Sequence, residues 1–220
     1  MGGFGAGCPI PVTGPIRVAR FRAMHLAQLD KLAREVDWAH VLRADRPVRV
    51  EASCKGSKIY HAGAVSERVG KAIAGALDVP IEEDARVCVR ARIEDNVCTL
   101  SVDTSGEILH RRGFKAEVNK APMRETLAAL FLRAAGFDGK QALVDPMCGS
   151  GTFVIEAAEM AAALVPGRGR SFAFEDLVSF DAAAWQSVRQ ASMRRAGELP
   201  ALRMAFGSDR DPGAVRMSGA

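Results

Sequence analysis

Several features typical of membrane-bound or secreted proteins are missing from these 220 residues. No stretch reaches the roughly 18 consecutive apolar residues that a membrane-spanning helix needs. The amino terminus also lacks the basic and then apolar pattern of a secretion signal. We therefore expect a cytoplasmic protein without a membrane partner.

Cysteine is scarce and does not occur in close pairs. The five residues, odd in number, form no Cys-x-x-Cys motif, which argues against both a disulfide framework and a zinc site. No metal ligands are therefore predicted. The cysteines are Cys8, Cys54, Cys88, Cys98 and Cys148.

Two phosphate-binding motifs are also absent. A dinucleotide-binding loop needs Gly-x-Gly-x-x-Gly, but no third glycine follows Gly149 and Gly151 at that spacing. The Gly-Lys-Thr or Gly-Lys-Ser of a P-loop does not occur either. These absences disfavour a dinucleotide-dependent dehydrogenase and a P-loop nucleotide hydrolase.

The most informative stretch is an apolar strand that ends in an acid, turns through Gly-x-Gly and enters an apolar helix. Asp145, at the carboxyl end of this strand, is expected to face the crevice where open α/β sheets bind ligands. Gly149 and Gly151 lack a Cβ, which allows a ligand to approach backbone N–H groups, and Thr152 is placed to cap the helix. The pattern predicts a site for a nucleotide-like cofactor.

A second acid follows the next short strand, which is expected at Met204 to Phe206. In a Rossmann-type sheet, a carboxylate at this position accepts hydrogen bonds from the two ribose hydroxyls. We predict this role for Asp209, whereas Asp211 precedes a proline and is expected to cap a turn.

The string Asp-Pro-Met-Cys-Gly-Ser-Gly-Thr, with the Ile-Glu-Ala-Ala helix after it, resembles motif I of the class I S-adenosylmethionine-dependent RNA methyltransferases that carry a THUMP domain. It is most similar to the bacterial group that methylates the exocyclic amine of guanine in ribosomal RNA. The Gly-Ser-Asp-x-Asp-Pro string fits the same family. The resemblance implies S-adenosyl-L-methionine as cofactor, held by Asp145, Pro146, Met147, Cys148, Gly149, Gly151, Thr152 and Asp209, with Phe114 as a secondary candidate.

The patterns in the first half of the chain predict mixed α and β structure. Together with the strings Ser57 to His61 and Asp103 to Phe114, this layout resembles a THUMP domain, which implies binding of structured RNA. Core packing is favoured over base stacking for Tyr60, the only tyrosine. The predicted elements are helices at 23–36 and 65–77, strands at 48–52, 87–93 and 97–103, and a hairpin turn at Asp95-Asn96.

The charge distribution is compatible with RNA but does not by itself demonstrate it, because the net charge is only +4. Local clusters of basic residues occur in the half without the cofactor motif and favour a binding module there, although a solvated surface is the simpler alternative for any one cluster. Ribosomal RNA is preferred over transfer RNA as the partner. The predicted RNA contacts are Lys55, Lys58, Arg111 and Arg112.

These observations predict an α+β, THUMP-like RNA-binding domain at 1–110 and, at 111–220, the start of an α/β, Rossmann-like methyltransferase domain. The family's catalytic Asn or Asp followed by Pro-Pro and an aromatic residue has no match. We therefore name no catalytic residue and expect a fragment that is inactive alone. The alternatives are a non-catalytic RNA-binding module with a vestigial cofactor half, a transfer RNA guanine methyltransferase, and a small-molecule or protein methyltransferase.

Overall fold

A computed structural model describes residues 14–108, 123–197 and 205–213, without the side chains of 194–197. The described residues form two compact units. Residues 14–107 and the later segment Phe172–Ala182 make up one unit, and the other described residues make up the second. The single boundary near residue 110 stays a prediction. It does not account for the segment Phe172–Ala182, which comes later in the chain but groups with the first unit.

The first unit is built on a four-stranded mixed sheet. Its strands, in the spatial order β1-β4-β3-β2, are β1 (Pro15–Arg22), β4 (Val97–Asp103), β3 (Val87–Glu94) and β2 (Val48–Lys55). Strand β4 pairs antiparallel with β1 and β3, whereas β2 and β3 are parallel. A parallel pair needs a crossover connection, which is supplied here by helix α2 (Ala62–Leu77).

The hydrophobic core lies between one face of this sheet and helices α1 (Leu26–Arg34) and α2. In β3, the buried Val89, Ala91 and Ile93 alternate with the exposed Arg90 and Arg92. Because successive side chains of a strand point to opposite faces, one face carries the core and the other faces solvent.

The hairpin between β3 and β4 turns at the predicted residues. Asp95 and Asn96 have φ values of 50° and 63°, which is the left-handed pair that a two-residue turn of type I′ requires. The carbonyl oxygen of Asn96 accepts a 2.9 Å hydrogen bond from the N–H of Ala23. The prediction of β4 at 97–103 is confirmed.

Other predicted boundaries differ from those observed. Helix α1 is shorter than the predicted 23–36, α2 begins three residues earlier than predicted, and β2 continues to Lys55. Strand β1 was not predicted. Its register shifts between Arg17 and Ala19, and this bulge interrupts the alternation by which a strand is recognised.

The second unit contains a parallel pair of short strands, β5 (Leu143–Asp145) and β6 (Ala205–Gly207). Helix α4 (Thr152–Ala161) follows β5 and packs against helix α3 (Glu125–Ala134), with α5 (Ala182–Gly197) later in the chain. The buried side chains of α3 are Ala128, Ala129 and Leu132. No helix in the described part of the chain is long and apolar enough to cross a membrane.

Candidate cofactor-binding site

The two predicted acids lie at the same edge of the parallel pair. Asp145 is opposite Gly207 in the register of β5 and β6. The N–H of Ser208 then donates to the carbonyl oxygen of Asp145 over 2.9 Å, so the chains stay side by side for one more residue. Asp145 is the last residue of β5, and Asp209 lies two residues after the end of β6. Their assignment to a cofactor stays a prediction.

The carboxylate of Asp209 connects the two loops at this edge. Its Oδ1 accepts the N–H of Asp211 and its Oδ2 accepts the N–H of Gly149, each at 2.9 Å. These backbone hydrogen bonds lower the pKa of Asp209 below its ordinary value, and the bond from Asp211 has the largest effect. An ionised carboxylate has about four acceptor positions, so two remain for hydroxyl donors of a ligand.

Gly149 and Gly151 have the backbone conformations that favour glycine, with φ values of 53° and 75°. Among the described residues, no atom lies within 4 Å of a Cβ added to Gly149. The glycine therefore leaves open space beside the loop, which a ligand can enter and a side chain would fill.

The predicted cap by Thr152 is wrong. The N-cap of α4 is Gly151, which makes no side-chain hydrogen bond, and Thr152 is the first helical residue and buried. The left-handed conformation of Gly151 ends the loop one residue earlier than the sequence suggests.

The loop between β5 and α4 is held by hydrogen bonds that its backbone N–H groups donate. Four of its N–H groups donate to protein oxygen atoms, so the expectation that the loop offers its N–H groups to a ligand does not hold for these four. What the loop can still offer to a ligand is the open space at Gly149 and the exposed side chains of Pro146 and Met147. The four bonds run from Met147 to Asp145 Oδ1, from Cys148 to the Ser208 carbonyl, from Gly149 to Asp209 and from Gly151 to the Cys148 carbonyl.

Gly207 is a site residue that the sequence reasoning missed. A Cβ on Gly207 would lie 2.9 Å from Cβ and 3.0 Å from Sγ of Cys148, and 3.2 Å from Cγ2 of Val154. Real Cβ atoms do not approach other atoms this closely, so the packing of the buried Cys148 against β6 requires glycine here. A glycine at the end of the strand, two residues before the second acid, was the available signal.

The predicted RNA contacts Lys55 and Lys58 are both exposed, Lys55 as the last residue of β2 and Lys58 on the loop that follows. We call residues 55–60 the lysine loop. This loop is fastened to the β3–β4 hairpin, because the N–H of Lys58 donates to Oδ1 of Asn96 at 2.8 Å and the N–H of Asn96 donates to Oγ of Ser57 at 3.0 Å. Lys55 Nζ lies 3.8 Å from a carboxylate oxygen of Glu94. The predicted residues Arg111, Arg112 and Phe114 lie outside the described part of the chain.

Tyr60, on the same loop, corrects the sequence prediction. Its side chain is 72% exposed rather than packed in the core. The ring contacts that of His61, with 4.1 Å between centroids. On this loop the core position is taken by the neighbouring Ile59, which is buried, whereas Tyr60 and His61 are exposed.

Comparison with known proteins agrees with this arrangement. Residues 23–103 match the THUMP domain family, and residues 112–219 match the family described as RMKL-like, methyltransferase domain. The chain therefore combines a THUMP domain with an RMKL-like methyltransferase domain. The family membership and the fold class predicted from the sequence are thereby confirmed.

Three individual relatives illustrate the likeness of this RMKL-like methyltransferase chain. It is 35% identical over 212 residues to the ribosomal RNA large subunit methyltransferase K/L of Syntrophotalea carbinolica, covering 90% of this chain and 30% of that protein. A structure from Listeria monocytogenes described as "a predicted N6-adenine-specific DNA methylase" has a TM-score of 0.81 at 27% identity, over 93% of this chain and 55% of that one. A structure described as "a putative methyltransferase complexed with SAH" has the same TM-score and identity, over 93% and 56%. The chain thus spans about a third to about half of the length of these relatives.

Proposed function

We propose that the protein transfers a methyl group from S-adenosylmethionine to the exocyclic amine of a guanine in ribosomal RNA. The observation that carries the proposal is the double hydrogen bond of Asp209, which holds the Gly149 loop beside β6 and leaves open space next to Gly149. The site lies at the carboxyl edge of parallel strands, where α/β sheets bind their ligands.

The residues of the loop fit this cofactor. The unused acceptor positions of Asp209 suit the two ribose hydroxyls of a nucleoside. Any side chain at position 149 would reduce the open space. We assign further contacts with the cofactor to Asp145 at the end of β5 and to Pro146 and Met147 on the loop after it. When bound, the cofactor supplies an electrophilic methyl group on a sulfonium.

The contribution of the protein to this reaction is positional. Holding the methyl donor and the acceptor nitrogen in line replaces a bimolecular encounter by a fixed geometry, which is worth several powers of ten in rate. The described residues of the site hold the cofactor end of that arrangement. No residue is assigned to the proton or to the target base.

RNA as the substrate class is supported by the THUMP domain at 23–103, and ribosomal RNA by the name of the Syntrophotalea relative. Lys55 and Lys58 are exposed on a fastened loop, as expected of side chains that bind phosphates. We assign them to the RNA.

The proposal is tested by incubating the protein with ribosomal RNA and methyl-labelled S-adenosylmethionine, followed by digestion to nucleosides. Two forms are assayed, the 220-residue chain and this chain extended by the carboxyl-terminal segment of the Syntrophotalea relative. Label in N2-methylguanosine is the expected result for the extended form. Label in N6-methyladenosine, label only in transfer RNA or label in protein would each overturn the assigned target. A lack of both label and S-adenosylhomocysteine binding in both forms would overturn the methyltransferase assignment and favour an RNA-binding module.

A further inference from the structure

The edge strand β1 presents three arginines on one face of the sheet, and a bulge is the reason. In a regular strand, residues three apart point to opposite faces, so Arg17 and Arg20 would be separated. The register shift between Arg17 and Ala19 inserts one residue. Arg17, Arg20 and Arg22 are consequently paired with Ser101, Thr99 and Val97 of β4.

These partners identify the face. Cys98 and Leu100, which alternate with them along β4, are completely buried in the core. Thr99 and Ser101 therefore point to the side of the sheet that lacks the core, and the arginines opposite them do so too. All three arginines of β1 are exposed.

A second pair of arginines lies across the same face. In the pairing of β3 with β4, Arg92 is opposite Thr99 and Arg90 is opposite Ser101. Strands are spaced about 4.8 Å apart, so the two arginine rows are separated by about 10 Å. The hydroxyl side chains of Thr99 and Ser101 form the floor between them.

The two rows differ in how their charge is balanced. Arg90 forms ion pairs with Asp103 at 2.8 Å and with Glu51 at 3.5 Å. Arg92 pairs with Glu94 at 2.8 Å.

The three arginines of β1 have no acidic partner among the residues that the structure describes. Of the two rows, the β1 row therefore carries the positive charge that is not balanced within the first unit.

The face is continuous with the lysine loop. Arg22 is paired with Val97, Val97 with Glu94 and Glu94 with Lys55, in one row across the four strands. The end of the arginine row thus lies at the same end of the sheet as Lys55 and the loop that begins there.

We propose that this face binds RNA through its phosphates, with Arg17, Arg20 and Arg22 as the main contacts. The inference rests on the proposed function for its RNA substrate and adds the surface that receives it. Side chains two residues apart on a strand are about 6.6 Å apart, so Arg20 and Arg22 form a regular row of charge that suits a polyanion. The hydroxyl floor lacks the aromatic and apolar anchors on which most protein interfaces depend, which favours RNA over an acidic protein.

The test compares two variants of the full chain with the same change in charge. One is Arg20→Gln with Arg22→Gln, and the matched control is Lys31→Gln with Arg68→Gln, which removes two exposed positive charges from α1 and α2. Affinity for a labelled ribosomal RNA fragment is measured by fluorescence anisotropy between 50 and 300 mM salt. Binding of S-adenosylhomocysteine and the melting temperature are measured on the same samples.

We expect the β1 variant to bind RNA about tenfold or more weakly and to lose about two units of the slope of log affinity against log salt, since each phosphate contact contributes about one unit. The control should keep the wild-type slope, and Arg20→Lys with Arg22→Lys should retain most of the affinity.

Equal RNA binding by wild type and the β1 variant, with unchanged cofactor binding, would overturn this inference alone. Failure of the wild type to retain RNA while it binds polyglutamate would overturn it in favour of an acidic protein partner. Failure of cofactor binding in both this chain and the extended form, with intact RNA binding, would contradict only the proposed function.

Discussion

The N–H of Gly149 donates a 2.9 Å hydrogen bond to Oδ2 of Asp209, sixty positions further along the chain. This bond fastens the glycine loop after β5 to the acid after β6, and the other carboxylate oxygen of Asp209 fixes its own loop through Asp211. One side chain therefore shapes both loops at the edge of the parallel pair. The remaining acceptor positions of that side chain are the ones that a nucleoside can use.

Replacement of Asp209 by Asn should weaken cofactor binding about tenfold or more, since a lost hydrogen bond to a charged group corresponds to at least that factor. The amide presents only one acceptor oxygen, so its NH₂ group would oppose the N–H of either Gly149 or Asp211. Calorimetric titration with S-adenosylhomocysteine measures the effect. Asp211→Asn is the matched control, because the carboxylate of Asp211 accepts a bond from Gly213 instead of the glycine loop. Equal losses in both variants would contradict the special position of Asp209.

The pH dependence of stability should reveal the same carboxylate. Because the two backbone hydrogen bonds lower the folded-state pKa of Asp209, its contribution to folding is fully present above the unfolded-state pKa of about 4 and is lost as the pH falls through the lower folded value. The difference in melting temperature between wild type and Asp209→Asn should be constant from pH 5 to 7 and shrink below about pH 4. A difference that grows on acidification would contradict the direction of the shift.

A substitution at Gly149 should separate backbone strain from loss of the ligand space. Alanine in the left-handed region costs about 1–2 kcal/mol of stability, and Gly149→Ala places its Cβ in the open space beside the loop. Gly136→Ala is a matched control, since Gly136 has a φ of 77° and also no protein atom near an added Cβ. Both variants should lose similar stability in urea unfolding, but only Gly149→Ala should lose affinity for S-adenosylhomocysteine. Unchanged affinity in Gly149→Ala would contradict the placement of the cofactor.

Some elements of this fold can be predicted from the sequence and others cannot. Strands β3 and β4 and the Asp95-Asn96 turn are predicted well, because regular alternation and a two-residue turn are local signals. Strand β1 is missed because its bulge shifts the alternation at Val18. The acids Asp145 and Asp209 are recognised because one ends a short apolar strand and the other comes shortly after one.

The contacts between distant residues are a different case. The bond from Gly149 to Asp209 depends on how two loops meet in space, and the sequence gives only that each loop exists. The need for glycine at 207 follows from the position of the buried Cys148, and the exposure of Tyr60 follows from the course of the loop that leaves β2. Neither of these features has a periodic pattern that a single sequence can show.

The contact between Cys148 and Gly207 should behave as a tightly packed pair. Gly207→Ala introduces a Cβ into occupied space and should reduce the free energy of unfolding by about 1–3 kcal/mol. Cys148→Gly removes both the Cβ and the Sγ, which would lie 2.9 and 3.0 Å away, so the double variant should lose less stability than the sum of the two single changes. A double-mutant cycle by urea unfolding measures this difference. Strict additivity would show that the two loops do not pack as described.

Charge reversal on the lysine loop should weaken RNA binding without affecting the cofactor site. Lys55→Glu with Lys58→Glu replaces two exposed positive charges by negative ones and places a carboxylate beside Glu94, so phosphates should be repelled and the affinity at low salt should fall by about tenfold or more. The control is Lys31→Glu with Lys71→Glu on α1 and α2, where Lys71, like Lys55, is ion-paired to a glutamate. Filter binding of a ribosomal RNA fragment is measured for the wild type and for both double variants. Melting temperatures on the same samples show whether either variant is destabilised. Comparable losses in both variants would mean that net charge, and not the loop fastened to the Asp95-Asn96 hairpin, determines the affinity for RNA.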